Sequence, residues 1–307
     1  MITPKITNLG YSNLWTDMST ILGYVSNFQK LITKIFVNGE QGFFYDPNDL
    51  TILYQDVAGT IPVTAAGQPV GLMLDKSKGL LSGSNLILNG SFSSDTSWTK
   101  GAGWTIAGGV ASFNGSASFS NLGTVTSPSI NGKWLRVELD LSNVGVSVTQ
   151  VRVLVPNSLA ATIPVSGAGK YSAIVMGGST SSIGIQSQNG SGANYAFTLD
   201  NVSVKEAFGN HAYQSTSAAR PILRNTPRRI DFDTVDDKLT TTFPAQLAGC
   251  TVIRSVPNVG TQILTGQTIP VTYMDNTDHC GLLVINRALT PSETSAITSE
   301  FNKRAGV

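Results

Sequence analysis

The sequence predicts a mainly β chain with an N-terminal α-helical, trimeric coiled-coil stem, then a β-sandwich jelly roll, then a second small β-rich domain ending in a short helix. Three observations carry this. Charged residues are 13% of the 307, against about 25% in an average soluble domain, and glycine is abundant at 31 residues, a balance that suits strands joined by tight turns. From residue 85 onward, short alternating or apolar runs recur between clusters of Gly, Asn and Ser, the rhythm of a sandwich. Near the N-terminus, Leu14, Met18, Ile21, Val25, Phe28, Ile32 and Ile35 follow one another at alternating steps of four and three residues. That is a heptad seam.

Residues 1–40 hold a polar arm and this helix, which Asn38-Gly39 stops with a left-handed cap. Met18, Val25 and Ile32 take a positions, and Leu14, Ile21, Phe28 and Ile35 take d positions. Three heptads make a rod of about 30 Å. Isoleucine at two of the four d positions favours three strands, so the expected partner is a homotrimer. The plainer alternative is an amphipathic helix lying on its own domain.

Residues 41–84 read as an extended collar or linker. Pro47, Gly59, Pro62, Gly67 and Pro69 break the segment into short extended pieces and exclude a helical domain. The stretch Lys76–Ser84 closes it as a Gly- and Ser-rich linker.

Residues 85–205 carry the runs Leu86–Leu88, Val110–Phe113, Leu135–Leu141, Val151–Val155, Tyr171–Val175, Ile183–Ile185 and Phe197–Val204. Residues 206–307 form the last unit. Its final helix has Thr290 as N-cap, Pro291 at the first position, Glu293 closing a capping box, Ile297 and Phe301 on one face, and Gly306 at the end. Arg220, Arg224, Arg228 and Arg229 precede Asp231, Asp233, Asp236 and Asp237, a pattern expected to give salt-bridged strands at a subunit contact.

The formal charge of +1 offers no footprint for nucleic acid or an anionic membrane. No run of 18 apolar residues exists for membrane insertion. The N-terminus lacks the basic and apolar regions of a secretory signal, so synthesis in a cytoplasm is expected. Cys250 and Cys280 are too few for a disulfide framework; free thiols are favoured over a bridge.

The residues Tyr45-Asp-Pro-x-Asp49-Leu50, then Leu53-x-Gln-Asp56-x-x-Gly59-Thr-x-Pro62-Val63, then Gly67 to Leu72 with Leu74-Asp-Lys76, resemble a segment of tailed-bacteriophage structural proteins. The phrase Asn210-His-Ala-Tyr-Gln-Ser-Thr216 resembles phage tail and head-fibre sequences. These resemblances imply a virion location after synthesis in a bacterial host, and contacts with tail, collar, portal or capsid proteins.

At the edges of the 85–205 unit, Asn85-Leu-Ile-Leu-Asn-Gly-Ser-Phe92 and Leu199-Asp-Asn-Val-Ser-Val204 look like the jelly-roll carbohydrate-binding modules found on glycosidases and phage fibres. That resemblance implies polysaccharide binding, no cofactor beyond a structural calcium at Asp200 with Asn89 nearby, and an aromatic platform. Trp98, Trp104 and Tyr195 are the candidate stacking residues, because pyranose faces stack on exposed rings. Trp134, inside an apolar strand, is assigned to the core. Finally, Ile230–Leu239 and Gly281–Lys303 resemble the two ends of a concanavalin-like lectin domain, shortened because fewer than forty residues lie between Phe243 and Gly281.

No catalytic residue is expected. His279 and Cys280 are neighbours whose side chains point to opposite faces of a strand, so they cannot form a dyad. A polysaccharide hydrolase needs two acids facing a groove, and the aspartates at 231–237 belong to one lectin-like strand. The expected function is a virion fibre or spike that adheres to host-surface glycan. The alternative is an architectural decoration or collar protein without ligand.

Overall fold

Between residues 82 and 207 the chain passes repeatedly between two antiparallel sheets, because each strand has one apolar face to bury. The structure, a computed structural model, describes residues 27–158 and 160–307. One sheet runs β12 (Gly169–Met176), β9 (Trp134–Ser142), β14 (Phe197–Ala207), β7 (Val110–Phe113), β6 (Trp104–Ala107), with β4 (Ser82–Asn85) on the far end of β14. The facing sheet runs β11 (Ala161–Pro164), β10 (Gln150–Leu154), β13 (Ser182–Gln186), β8 (Asn121–Val125), β5 (Trp98–Lys100). Strands β8 and β10 bury every second residue, as a half-covered sheet requires. Phe92, Phe113, Leu122, Val137, Val151 and Phe197 fill the space between the sheets. The expected jelly-roll-like sandwich is present.

A second sandwich is assembled from both sides of the first. One sheet runs β1 (Gly42–Tyr45), β22 (Gly281–Ile285), β19 (Leu247–Val256), β20 (Gly260–Ile269). The other runs β2 (Leu53–Tyr54), β3 (Leu72–Met73), β15 (Ala212–Tyr213), β18 (Leu239–Thr242), β21 (Thr272–Asp275). A short hairpin, β16 (Ile222–Arg224) and β17 (Arg229–Asp231), lies beside them. Residues 41–84, expected to form an extended collar, instead supply three strands to these sheets: β1 pairs with β22 and β3 pairs with β15. The physical reason lies in β1 itself, Gly-Phe-Phe-Tyr, whose residues are buried on both faces and so must form a sheet strand covered on both sides. The sheets of the C-terminal unit are therefore completed by strands that lie N-terminal to the jelly roll.

The jelly roll is thus an insertion. Chain entry and exit are adjacent, since Ser82 of β4 faces Ala207 of β14. Trp134 at the start of β9 packs against His211 (ring centroids 5.4 Å apart) and Tyr213 (5.6 Å) of the second sandwich. The core assignment of Trp134 holds, although the core it joins is the neighbour's.

The heptad seam meets a different fate from the one expected. Leu14, Met18, Ile21 and Val25 lie outside the described residues. Within α1 (Asn27–Ile35), Ile32 and Ile35 are fully buried and Phe28 is half-buried. They pack with Phe36, Phe44, Ile253, Leu283 and Ile285, and with Ile297 and Phe301 of α2 (Pro291–Ala305). The outer face of the β1–β22–β19 sheet is apolar and has to be covered, and these positions cover it. Over this stretch the plainer alternative, a helix on its own domain, is what the chain adopts.

Helix α2 forms as expected. Thr290 accepts a hydrogen bond from the Glu293 N–H, Glu293 accepts from the Thr290 N–H, and Gly306 caps the end at φ 85°. Arg224 on β16 pairs across to Asp231 on β17, and Arg229 pairs with the same Asp231 along β17, so these salt bridges close within one chain.

Candidate functional site

Both tryptophans expected to stack on sugar are core residues. Trp98 is 8% exposed, packs on Phe92 and donates its indole N–H to the Asn89 carbonyl at 3.0 Å. Trp104 is 5% exposed, held between Phe113 and Phe197. Each starts a strand whose register turns it inward; Thr99 and Thr105 continue those strands, and Ala102-Gly103 form the turn between them. Tyr195 remains half-buried and lies across the backbone of Gly190, where an added Cβ would stand 2.3 Å from the ring.

The calcium pair does not converge. The Asn89 amide donates to the carbonyls of Ser94 and Thr96, and its oxygen accepts from Ser93. Asp200 accepts from the backbone and side-chain N–H groups of Asn201. Each side chain serves its own turn, and among the described residues no contact joins the two. In the second sandwich, Asp233, Asp236 and Asp237 lie close together, with Asp233 accepting from the N–H groups of Val235, Asp236 and Asp237. This is a self-bonded acidic turn.

What the jelly roll does present is a depression on the outward face of the five-stranded sheet. Antiparallel register sets Leu154, Gly184 and Gly123 side by side across β10, β13 and β8, with Thr99 next on β5. Leu154 and Thr99 are thus about 14 Å apart, three inter-strand steps of about 4.8 Å. The two glycines between them contribute no side chains of their own, and a shallow cleft of about 410 Å³ results, lined also by the Asn121 side chain and by Ser97, Val125, Pro156 and Ser182. In the neighbouring row, Arg152, Gln186 and Asn121 face one another on the same three strands.

The Asn121 amide lies flat over Gly184, where an added Cβ would meet its oxygen at 2.3 Å. Among the described residues that amide makes no hydrogen bond to protein, so it offers both a donor and an acceptor at the cleft. Arg152 donates to the Gln186 side-chain oxygen at 2.8 Å and stands 5.9 Å from the ring centre of Phe119, which is 46% exposed. Chemically, the face combines an apolar rim, amides, hydroxyls and one guanidinium.

These residues escaped the sequence reading, which searched for tryptophan. A signal was present. Asn-Leu-Gly-Thr-Val and Ser-Ile-Gly-Ile-Gln each carry a glycine at an outward position of an otherwise sound strand, a placement that marks close approach of a ligand or another backbone.

Groups with chemical potential elsewhere are committed to structure. Asp75 is fully buried and accepts four hydrogen bonds, from Phe44 N, Ser77 N, Ser77 Oγ and Asn210 N, at 2.7–2.9 Å. Burial pushes its pKa up to about 6. His211 Nδ1 accepts from the Asp75 N–H at 3.0 Å, and burial, reinforced by Arg136, lowers its pKa to about 3. His279 Nε2 stands 2.9 Å from Asp275 Oδ2, yet neither atom makes a hydrogen bond of proper angle. Cys250 and Cys280 are free and buried, and burial raises the Cys280 thiol to about 11, far from a thiolate nucleophile.

Among solved structures, the chain is similar to one titled "CBM4 structure and function", at 14% identity over 39% of this chain and 99% of that chain, with a TM-score of 0.31. A family 29 carbohydrate-binding module mutant complexed with mannohexaose matches at 19% identity over 41% and 93%, TM-score 0.30. A cyclase from Fischerella sp. TAU matches at 11% over 41% and 96%, TM-score 0.30. No protein-family model and no curated protein matches the chain. At these scores no residue role passes from the neighbours to this chain.

Proposed function

We propose that the protein is a structural component of a bacteriophage virion, a fibre or spike of tail, collar or head, whose inserted jelly roll adheres to host-surface glycan. The observation that carries the glycan reading is the cleft over Gly123 and Gly184. A flat, glycine-floored face lined by unpaired amide, hydroxyl and small apolar groups suits a sugar chain, whose hydroxyls need donors and acceptors and whose ring faces need shallow apolar contact. The bacteriophage reading is supported by the phrases around Tyr45–Lys76 and Asn210–Thr216. Both now belong to one composite sandwich, which would serve as the base that docks on neighbouring virion proteins and holds the jelly roll outward.

Three copies remain the preferred assembly, which would raise weak sugar affinity through avidity. With Ile32 and Ile35 used inside the chain, the trimer contact would rest on the seam residues before Asn27 and on the base. One observation favours the architectural alternative without ligand: the burial of Trp98 and Trp104, which removes the strongest sugar platform.

The test is retention of the full chain on a panel of immobilised bacterial surface polysaccharides, with sedimentation of the same sample. Retention by at least one polysaccharide, at the mass of a trimer, supports the proposal. Silence across the panel favours the architectural reading, and a monomer at micromolar concentration removes the trimer.

A further inference from the structure

The outward face of the five-stranded sheet is not electrically neutral. Across β8, β10 and β13 the outward positions are Asn121, Gly123, Val125, Gln150, Arg152, Leu154, Ser182, Gly184 and Gln186, so the face carries one charge, positive, from Arg152. On the opposite sheet Lys170 sits 2.7 Å from Asp140 and Lys205 3.8 Å from Glu138, while Arg136 on β9 has no ion-pair partner among the described residues. Arg152 likewise has no carboxylate within ion-pair distance among the described residues. Its charge is held in place all the same, by the hydrogen bond to Gln186 and by the ring of Phe119 beside it. Only one of its guanidinium N–H groups is used in that hold, which leaves the others open to an incoming acceptor.

We infer that the glycan of this face is acidic, and that Arg152 is the residue that selects it. This rests on the glycan reading of the cleft and adds the ligand's charge to it. A planar guanidinium already fixed by an amide and an aromatic ring loses little freedom on binding a planar or tetrahedral oxyanion, and it can do so with two parallel hydrogen bonds. Asn121 and Gln186 occupy the same cross-strand row, so a sugar bearing the anion over Arg152 extends its ring toward the Gly184 and Gly123 floor. The shared chemistry is an oxyanion substituent on a sugar, either a uronate carboxylate or a sulfate ester.

The experiment measures binding of the full chain to polygalacturonate, dextran sulfate and neutral dextran at physiological salt, for the native protein, Arg152→Gln and Arg152→Lys. Lys170→Gln, on the opposite sheet, reports general charge attraction. The expected result is that one acidic polymer binds at least about tenfold better than dextran, that Arg152→Gln abolishes this preference, that Arg152→Lys restores part of it, and that Lys170→Gln leaves it unchanged. The polymer that binds identifies the oxyanion. Equal binding of dextran and the acidic polymers, unaltered by Arg152→Gln, overturns the acidic ligand and leaves the glycan reading standing. An acidic preference that persists in Arg152→Gln, or falls equally in Lys170→Gln, overturns Arg152 as its source. No binding to any polymer counts against both readings.

Discussion

Ile174 of the jelly roll donates its backbone N–H to the carbonyl of Ala58 at 2.7 Å, and each of the two side chains lies in the hydrophobic core of the other's sandwich. Edge strand β12 is thereby capped by the loop after β2, and Trp134 closes the same seam against Tyr213. An inserted domain fixed this way has a set direction relative to its base, which an adhesive module on a particle needs.

This seam predicts one cooperative unfolding event. Trp134→Ala should destabilise the protein by about 3–5 kcal/mol and divide the calorimetric transition into two, one for each sandwich. A single transition merely shifted to lower temperature would mean that the sandwiches are coupled by other contacts.

The packing of α1 predicts that its apolar face stabilises the single chain. Ile32→Ala should cost about 2–4 kcal/mol in urea unfolding, because a fully buried side chain leaves a cavity against Phe44 and Ile253. That loss should not depend on protein concentration. A loss that shrinks as concentration rises would return Ile32 to a contact between helices of different copies.

The buried pair Asp75 and His211 predicts a pH dependence with two opposing parts. His211 has its pKa lowered to about 3 from 6.5, so its contribution is present above about pH 6.5 and is lost as pH falls toward 3. Asp75 has its pKa raised to about 6 from 3.8, so its contribution is complete below about pH 3.8 and is lost as pH rises through 6. The His211 shift is the larger, and acidification from pH 7 to 4.5 should lower the urea midpoint. In His211→Asn, whose side-chain oxygen can still accept from the Asp75 N–H, that fall should shrink. An unchanged fall would assign the acid sensitivity to other groups.

Helix α2 predicts a smaller effect. Thr290→Ala removes the acceptor for the Glu293 N–H and should cost about 1 kcal/mol, without altering binding at the jelly roll 's distant face. A change in binding would show that the base and the cleft are linked.

The legible parts of the sequence were those whose signal is local. Thr290, Pro291, Glu293 and Gly306 define a helix by neighbours alone, and the alternation in Val151–Val155 defines a half-buried strand. What was not legible depends on contacts distant in the chain. Gly42–Tyr45 finds its partner at residues 282–285, and nothing local to Phe43 names Leu283 or Val284. The heptad seam was ambiguous for the same reason: a stripe of Phe28, Ile32 and Ile35 serves a partner helix or an apolar sheet equally well, and only the apolar outer face of β22 and β19 decides. Tryptophan misled because its size favours burial wherever a core will take it, whereas the residues that shape the cleft are glycines, visible only as an absence of side chains.

The most direct test of the account is a calorimetric titration of the full chain with the polysaccharide that it retains, comparing the native protein with Gly123→Val. A Cβ at Gly123 meets nothing closer than 3.5 Å, so the fold should keep its thermal midpoint while the added side chain fills the cleft. The account predicts binding by the native protein and its loss in Gly123→Val at an unchanged midpoint; equal binding by both would contradict it.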